Sequence, residues 1–399
     1  MSKYVMGGWN YVETGVLRPE TAVKDWEDLA FNLVMSFEFD PRKHDKKDLL
    51  DLLDICGQKG MKVIICDSRT HWNNLKRQGE EKFKKEVEQA VADFGSHRAA
   101  FGFHIGDEPD KNEMQTMIRA YKLVKAAAPE LSPFVNFLPI WDEDNFVDIL
   151  GVSRREYKDL LNQVVREAGI EMLCYDYYGQ CAYFERERFE NLYFENLRVF
   201  GEVARENNIP FFTTLLSVGH WSLRCPSEDD IKWQISTSVA MGVTGILWFF
   251  IYERTLDGSY RLPPVDLFWE RTETFFRLSR QTRTFMRFLA PKLENYTYEE
   301  TYALGLPYAG LPLLEKGFGI EKVERVVNLS APLLFVRFSE NRSLKEEVTR
   351  EDIRENVREK FVLVNADREK PVRVKIGFHP ESERSAVDIW LAPGQMNII

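Results

Sequence analysis

The chain has 399 residues, 44 % of them hydrophobic, which is too long for one ordinary domain and fits one large domain plus a smaller module with a sizeable core. Its formal net charge is −10, an acidic balance that argues against nucleic acid and anionic membranes as partners and leaves a neutral small substrate open. No run of about twenty apolar residues occurs, so no membrane span is expected.

The first strand candidate is residues 4–12, which carries Trp9 and Asn10; the N-terminus reads directly into it without an apolar signal segment. Apolar runs follow at 31–39, 62–67, 101–106, 134–140, 171–178, 210–216 and 245–252. Between them lie charged stretches with helical spacing. Leu49, Leu50, Leu52, Leu53 and Ile55 stripe residues 45–58, and Phe83, Val87, Val91 and Phe94 stripe 80–94. The pattern repeats at 111–127, 153–168, 187–207 and 227–241, where Pro226 and Ser227 read as a helix start, and again at 266–290. Eight strand–helix units in series predict a (β/α)8 barrel, a TIM barrel, over residues 1–291. A doubly wound sheet would want a glycine-rich phosphate loop, and Gly7-Gly8 is not one.

After Pro291 short alternating runs appear at 297–304, 333–338, 361–365, 372–378 and 386–391, with turn signals such as Asn365-Ala366-Asp367. This predicts a small C-terminal antiparallel, sandwich-like β-domain over 292–399. The very charged residues 340–360 read as an exposed helix or a long loop.

Five cysteines (Cys56, Cys66, Cys174, Cys181 and Cys225) show no pairing pattern and no CxxC, which reads as free thiols in a reducing compartment. The expected location is therefore the cytoplasm, and no zinc site of the CxxC kind is expected. Six histidines without an HxH pattern argue against a catalytic metal.

In such a barrel the chemistry sits at the C-terminal strand ends. The residues there are Trp9 and Asn10, Glu38 and Asp40, Asp67 and Arg69, Asp107 and Glu108, Asp176, Tyr177 and Tyr178, Ser217, His220 and Trp221, and Trp248, Tyr252 and Glu253. Carboxylates among aromatic walls suit cleavage of a glycosidic bond, which needs one carboxylic acid to protonate the leaving oxygen and a second carboxylate to attack or to activate water. The acid must hold its proton near neutrality, through burial or a like charge.

The strand end Gly106-Asp107-Glu108-Pro109 resembles the Asn-Glu-Pro strand-4 signature of clan A glycoside hydrolases, in an Asp-Glu-Pro variant. Tyr175-Asp176-Tyr177-Tyr178, Arg224-Cys225-Pro226-Ser227-Glu228-Asp229-Asp230 and the run from Ala240 to Phe250 are similar to segments of bacterial barrel proteins assigned as glycosidases. The resemblance implies Glu108 as general acid/base, Asp107 where the family has a sugar-contacting Asn, a carbohydrate substrate and no cofactor. It breaks at strand 7, where Thr213–His220 offers no carboxylate for the family's nucleophile. Asp176 is the expected partner and Glu253 the runner-up, although Glu253 beside Arg254 or Arg261 also reads as a rim ion pair. Trp9, Asn10, Asp107, Tyr178, His220, Trp221, Trp248 and Tyr252 are the expected sugar contacts, and His104 reads as a core histidine. The competing reading is a barrel that binds carbohydrate without cleaving it. A Schiff-base lyase would need a strand-end Lys, and none is read here.

Overall fold

The computed structural model describes residues 2–141, 143–253, 255, 258–341, 359–380 and 384–399, so most of the charged stretch read at 340–360 and the Arg254 partner read for Glu253 lie outside the described residues. Each of the eight apolar runs forms a strand: β1 (Val5–Gly8), β2 (Leu33–Met35), β3 (Lys62–Ile65), β4 (Ala100–Asp107), β5 (Phe134–Phe137), β6 (Leu173–Asp176), β7 (Phe211–Leu216) and β8 (Gly245–Phe249). All pair in parallel, in the order β1-β8-β7-β6-β5-β4-β3-β2. Helices intervene: α1 (Pro19–Asp28), α2 (Lys46–Gln58), α3 (Trp72–Gln78), α4 (Glu80–Ala90), α5 (Met114–Ala127), α6 (Glu143–Leu150), α7 (Tyr157–Ala168), α8 (Arg186–Glu206), α9 (Glu228–Ala240) and α10 (Glu273–Thr284). The molecule is a (β/α)8 barrel followed by a small C-terminal antiparallel β-domain.

The last seam, between β1 and β2, is stitched by asparagine side chains as well as by backbone. Asn32 donates its N–H to the Met6 carbonyl at 2.9 Å while its Oδ1 accepts from the Met6 N–H at 2.9 Å. Asn10 donates from Nδ2 to the Met35 carbonyl at 2.8 Å. The two backbones approach so closely that a Cβ on Gly7 would sit 1.8 Å from the Leu33 carbonyl oxygen, so only glycine fits there. Alternate residues of the strands point inward and interlock as one apolar cluster that includes Val5, Leu33, Ile64, Phe134, Cys174, Phe212, Leu247 and Phe249. This filled interior makes the barrel a rigid platform and leaves the strand ends to carry chemistry.

Two compact units result, one of residues 5–225 and 244–282 and the other of residues 1–4, 226–243 and 283–399. In the second, the strands Tyr296–Leu304, Leu333–Glu340, Glu359–Asn365 and Met396–Ile398 lie in one sheet, and Ile320–Val327, Val372–Phe378 and Val387–Leu391 form another. Phe335, Phe361 and Leu363 of the first sheet share a core with Val374 and Ile376 of the second. Helix α9 belongs to this unit: Ser227 and Asp230 form a capping box at its start, and Trp233 donates from Nε1 to the Ala366 carbonyl at 2.8 Å. The five cysteines are free, and no helix among the described residues is long and apolar enough to cross a membrane.

Candidate active site

The site is built where β4, β5 and β6 end. β4 runs extended to Gly106, whose φ is +139°, and a Cβ there would lie 2.2 Å from the Trp72 ring. Glu108 then adopts the left-handed region at φ +50°, unusual for a residue with a side chain. Neighbouring residues on a regular strand face opposite sides. The left-handed turn breaks that alternation, so Asp107 and Glu108 act on the same partner, Asp176 of β6. The Glu108 N–H is held by the Asn136 carbonyl of β5 at 2.9 Å. A Gly106→Ala substitution meets both the unfavourable φ and the indole; it should destabilise the fold by about 2–5 kcal/mol, combining backbone strain with overpacking, as read from urea unfolding.

Asn136 is the keystone of the cluster. It is buried, and its Nδ2 donates to Asp107 Oδ1 at 3.1 Å and to Asp176 Oδ1 at 2.6 Å. Asp176 also shares a side-chain hydrogen bond with Glu108 and accepts one from the Tyr178 hydroxyl. Three carboxyl groups are thus gathered around one amide.

Burial pushes the Glu108 carboxyl well above the usual carboxylate range, and the charges of Asp176 and Asp107 raise it further. Burial also raises Asp107, with Asp176 adding to it and the Asn136 amide opposing, although one face of Asp107 remains open to solvent. Asp176 is raised by burial against the hydrogen bonds from Asn136, Glu108 and Tyr178. Among the described residues no cation acts on Asp107 or Glu108. Three like charges this close and partly desolvated oppose one another's ionisation, and the cluster keeps a proton near neutrality.

Of the residues read from the sequence as a site, Asp107, Glu108, Asp176 and Tyr178 come together here. Tyr178 stacks on Phe249 of the barrel interior, with centroids 5.2 Å apart. Trp9 is buried in the interior, donates from Nε1 to Thr214 Oγ1 at 3.1 Å and meets His104 edge-on. His220 lies between two rings, Tyr260 at 5.1 Å and Trp221 at 4.4 Å, both stacked. Trp221 is 70 % exposed, and the Arg261 guanidinium holds its turn by donating to the Trp221 and Leu223 carbonyls.

The others stand apart. Asn10 spends its amide on the β1–β2 seam. Trp248 alternates with the inward Leu247 and Phe249, so it faces the helix layer, where its Nε1 contacts Met6 Sδ at 3.1 Å. Tyr252 is fully buried and donates to Asp25 Oδ2 of α1 at 3.2 Å. Neither ring can meet a ligand at the mouth. Glu253 is tied by its N–H to the Val265 carbonyl; its carboxyl, raised by burial and then by Asp266, acts on none of the three clustered carboxylates. Arg261 is turned to the carbonyls just named rather than to Glu253. His104 is neutral, pushed down to about 3 by burial and then by His71; it packs against Trp9 and Phe134, and its Nε2 has no hydrogen-bond partner among the described residues.

Two further groups escaped the sequence reading. Asn136 sits in the apolar run 134–140, and a lone amide in a barrel strand was its only signal. Tyr260, which completes the stack with His220, comes from the loop after β8. At the ends of β1 to β4 a cavity of ≈ 360 Å³ is lined by Glu13, Glu38, Asp40, Asp67, His71 and His104 among others, and by none of the three clustered carboxylates. Asp67 of this wall is bound by the Arg69 guanidinium through both oxygens and is thereby neutralised. Among the described residues no group of three or more His, Cys, Asp or Glu side chains is arranged to hold a metal ion.

No family model matches the sequence, and no curated protein matches it. Solved structures with a similar fold include glycoside hydrolases. The cold-adapted β-galactosidase from Rahnella sp. R3 superposes with a TM-score of 0.56 at 13 % identity, over 76 % of this chain and 58 % of that one. The β-galactosidase from the psychrophilic Marinomonas ef1 gives 0.52 at 11 % identity, over 75 % and 63 %. The β-glucuronidase from Ruminococcus gnavus in complex with uronic deoxynojirimycin gives 0.50 at 10 %, over 70 % and 50 %. The chain therefore spans between half and two thirds of the length of these proteins, and at these identities the likeness shows the fold.

Proposed function

We propose that this chain is a glycoside hydrolase acting on a neutral oligosaccharide or glycoside, with Glu108 as general acid/base and Asp176 as the second carboxylate. The observation that carries the reading is the proton-holding cluster of Asp107, Glu108 and Asp176 at the mouth of a barrel whose solved counterparts include glycosidases. Cleavage of a glycosidic bond asks for a carboxylic acid that is still protonated near neutrality beside a carboxylate that is not. Glu108, half-buried and unopposed by any cation among the described residues, suits the first role. Asp176, stabilised as an anion by Asn136 and Tyr178, suits the second.

Two carboxyl groups that share a hydrogen bond are closer than the roughly 6.5–9.5 Å of an inverting pair and closer also than the roughly 5–5.5 Å of a retaining pair; a bound sugar would part them, and the smaller of the two separations is the nearer, which favours retention of configuration. In the first step Glu108 gives its proton to the glycosidic oxygen while Asp176 attacks the anomeric carbon and the leaving group departs. In the second, Glu108 takes a proton from water, which displaces Asp176. The exposed Trp221 face, braced by His220 and Tyr260, offers a stacking surface for a sugar ring.

A panel of aryl glycosides, followed by proton NMR on whichever is cleaved, tests the reading: the first-formed sugar should carry the anomeric configuration of the substrate. First-formed product of opposite configuration would exclude Asp176 as nucleophile. Sugar binding with no hydrolysis of any substrate would favour the binding-only barrel, for which the missing carboxylate on β7 speaks. Trp221→Ala should raise KM by roughly two- to tenfold, matching the roughly 0.5–1.5 kcal/mol of an aromatic contact, with kcat nearly unchanged.

A further inference from the structure

We propose that Asn136 is a positioning residue that assigns the proton of the carboxylate cluster to Glu108. The inference deepens the reading of the cluster as an acid–base centre and rests on it.

A primary amide has two N–H groups, and Asn136 spends one on Asp107 Oδ1 and the other on Asp176 Oδ1. Glu108 receives neither. An N–H donor favours the ionised form of the carboxyl it meets over the protonated form. Asp107 and Asp176 are therefore held as anions by geometry, and the proton that the cluster must keep falls to the carboxyl left without an amide donor. Glu108 then points that proton at Asp176, which accounts for the hydrogen bond between them. The amide cannot be turned over to share its donors differently, because its Oδ1 would then face two carboxylates. That Oδ1 lacks a hydrogen-bond partner among the described residues, so the N–H side alone sets the orientation.

The other titratable groups acting on the cluster are neutral hydroxyls and a thiol. Tyr178 adds a second donor to Asp176, and Tyr157 feels Glu108 and Asp176 while its own hydroxyl donates to the Leu138 carbonyl at 2.7 Å. The Cys174 thiol is pushed up by burial and stays protonated. None of them distinguishes Glu108 from Asp107 as Asn136 does. A hydrogen bond to a charged group is worth about a factor of ten to a hundred in such an equilibrium, enough to decide where the proton sits.

Asn136→Leu removes both donors at similar side-chain size. In the pH profile of kcat/KM the acid limb should move to higher pH, corresponding to a proton concentration lower by about a factor of ten or more, because Asp176 is harder to ionise. The alkaline limb should move upward less, since only the share of the last proton that passes to Asp176 is affected by the lost amide donor. Carboxyl 13C NMR titration of the full chain labelled on Asp and Glu, assigned through Glu108→Gln and Asp176→Asn, reads the same redistribution without any turnover. Wild type should show Glu108 losing its proton last, and Asn136→Leu should show Asp176 sharing it. Should Asn136→Leu fail to fold, Asn136→Ser, which keeps one donor, should give a smaller change of the same sign. Titration curves that superpose on wild type in either folded variant would overturn the assignment. A protein that cleaves no glycoside yet shows the redistribution would sink the proposed function while leaving Asn136 in its role.

Discussion

Asp176→Asn should abolish turnover and still leave a protein more stable above neutral pH than the wild type. Asp176 is half-buried beside Glu108 and Asp107, and the loss of solvent raises its carboxyl despite three hydrogen bonds. A carboxyl whose value is higher in the folded than in the unfolded state binds its proton more tightly when folded. Stability then falls as the pH rises above the unfolded value of about 4, because the unfolded chain gains ionisation that the fold resists. All three clustered carboxyls shift in this direction, so their contributions to the slope share one sign. An amide at position 176 has nearly the same shape, can accept from Asn136 and can no longer repel its neighbours. The gain should be on the order of one to a few kcal/mol, each tenfold displacement being worth about 1.4 kcal/mol. It should appear at pH 8, shrink toward pH 4 and be measured by urea unfolding across that range. The loss of activity should be at least as large as that of Glu108→Gln, because the carboxylate proposed to attack the anomeric carbon is gone. Stability sacrificed at a reacting centre is a common pattern in enzymes.

Glu108→Gln should lower kcat/KM by about 10²–10⁴-fold, the usual contribution of a positioned general acid. The amide fills the same space, and the left-handed turn at position 108 is set by the backbone around Gly106 and by the bond from its N–H to Asn136, both of which survive. The substitution therefore removes the proton without dismantling the site, and a glutamine amide can still donate to Asp176 in place of the protonated carboxyl. Asp176 stays raised by loss of solvent, so the acid limb of any residual activity should stay close to that of wild type. A variant with full activity on glycosides of poorly acidic alcohols would remove Glu108 from the chemistry.

The eight strands were legible because each is an apolar run of buried residues on both faces, flanked by charged helical stripes. Helix α1 was not, although Pro19 at its first turn, Glu20 beside it and buried Ala22, Val23 and Trp26 form a recognisable start and stripe. The edge strand Ile320–Val327 was hidden by its exposed charges, which suit a strand with one wet face. Glu108 and Asp176 were legible from their place at strand ends. Trp248 and Tyr252 were assigned to the mouth on residue type, and the two-residue period that turns them to the helices was the information that mattered. Asn136 could not be singled out, because its importance lies in two hydrogen bonds to residues 29 and 40 positions away. A sequence motif records neighbours in the chain, and this amide acts on neighbours across the sheet.

The central claim is that Glu108 carries a proton at neutral pH and hands it to the departing oxygen. The most direct measurement is kcat/KM for a series of aryl glycosides of graded leaving-group acidity, with wild type and Glu108→Gln side by side. Wild type should be nearly insensitive to leaving-group acidity, whereas Glu108→Gln should slow steeply as the leaving group becomes less acidic and approach wild type for the most acidic phenol. Parallel dependences for the two proteins would contradict the account.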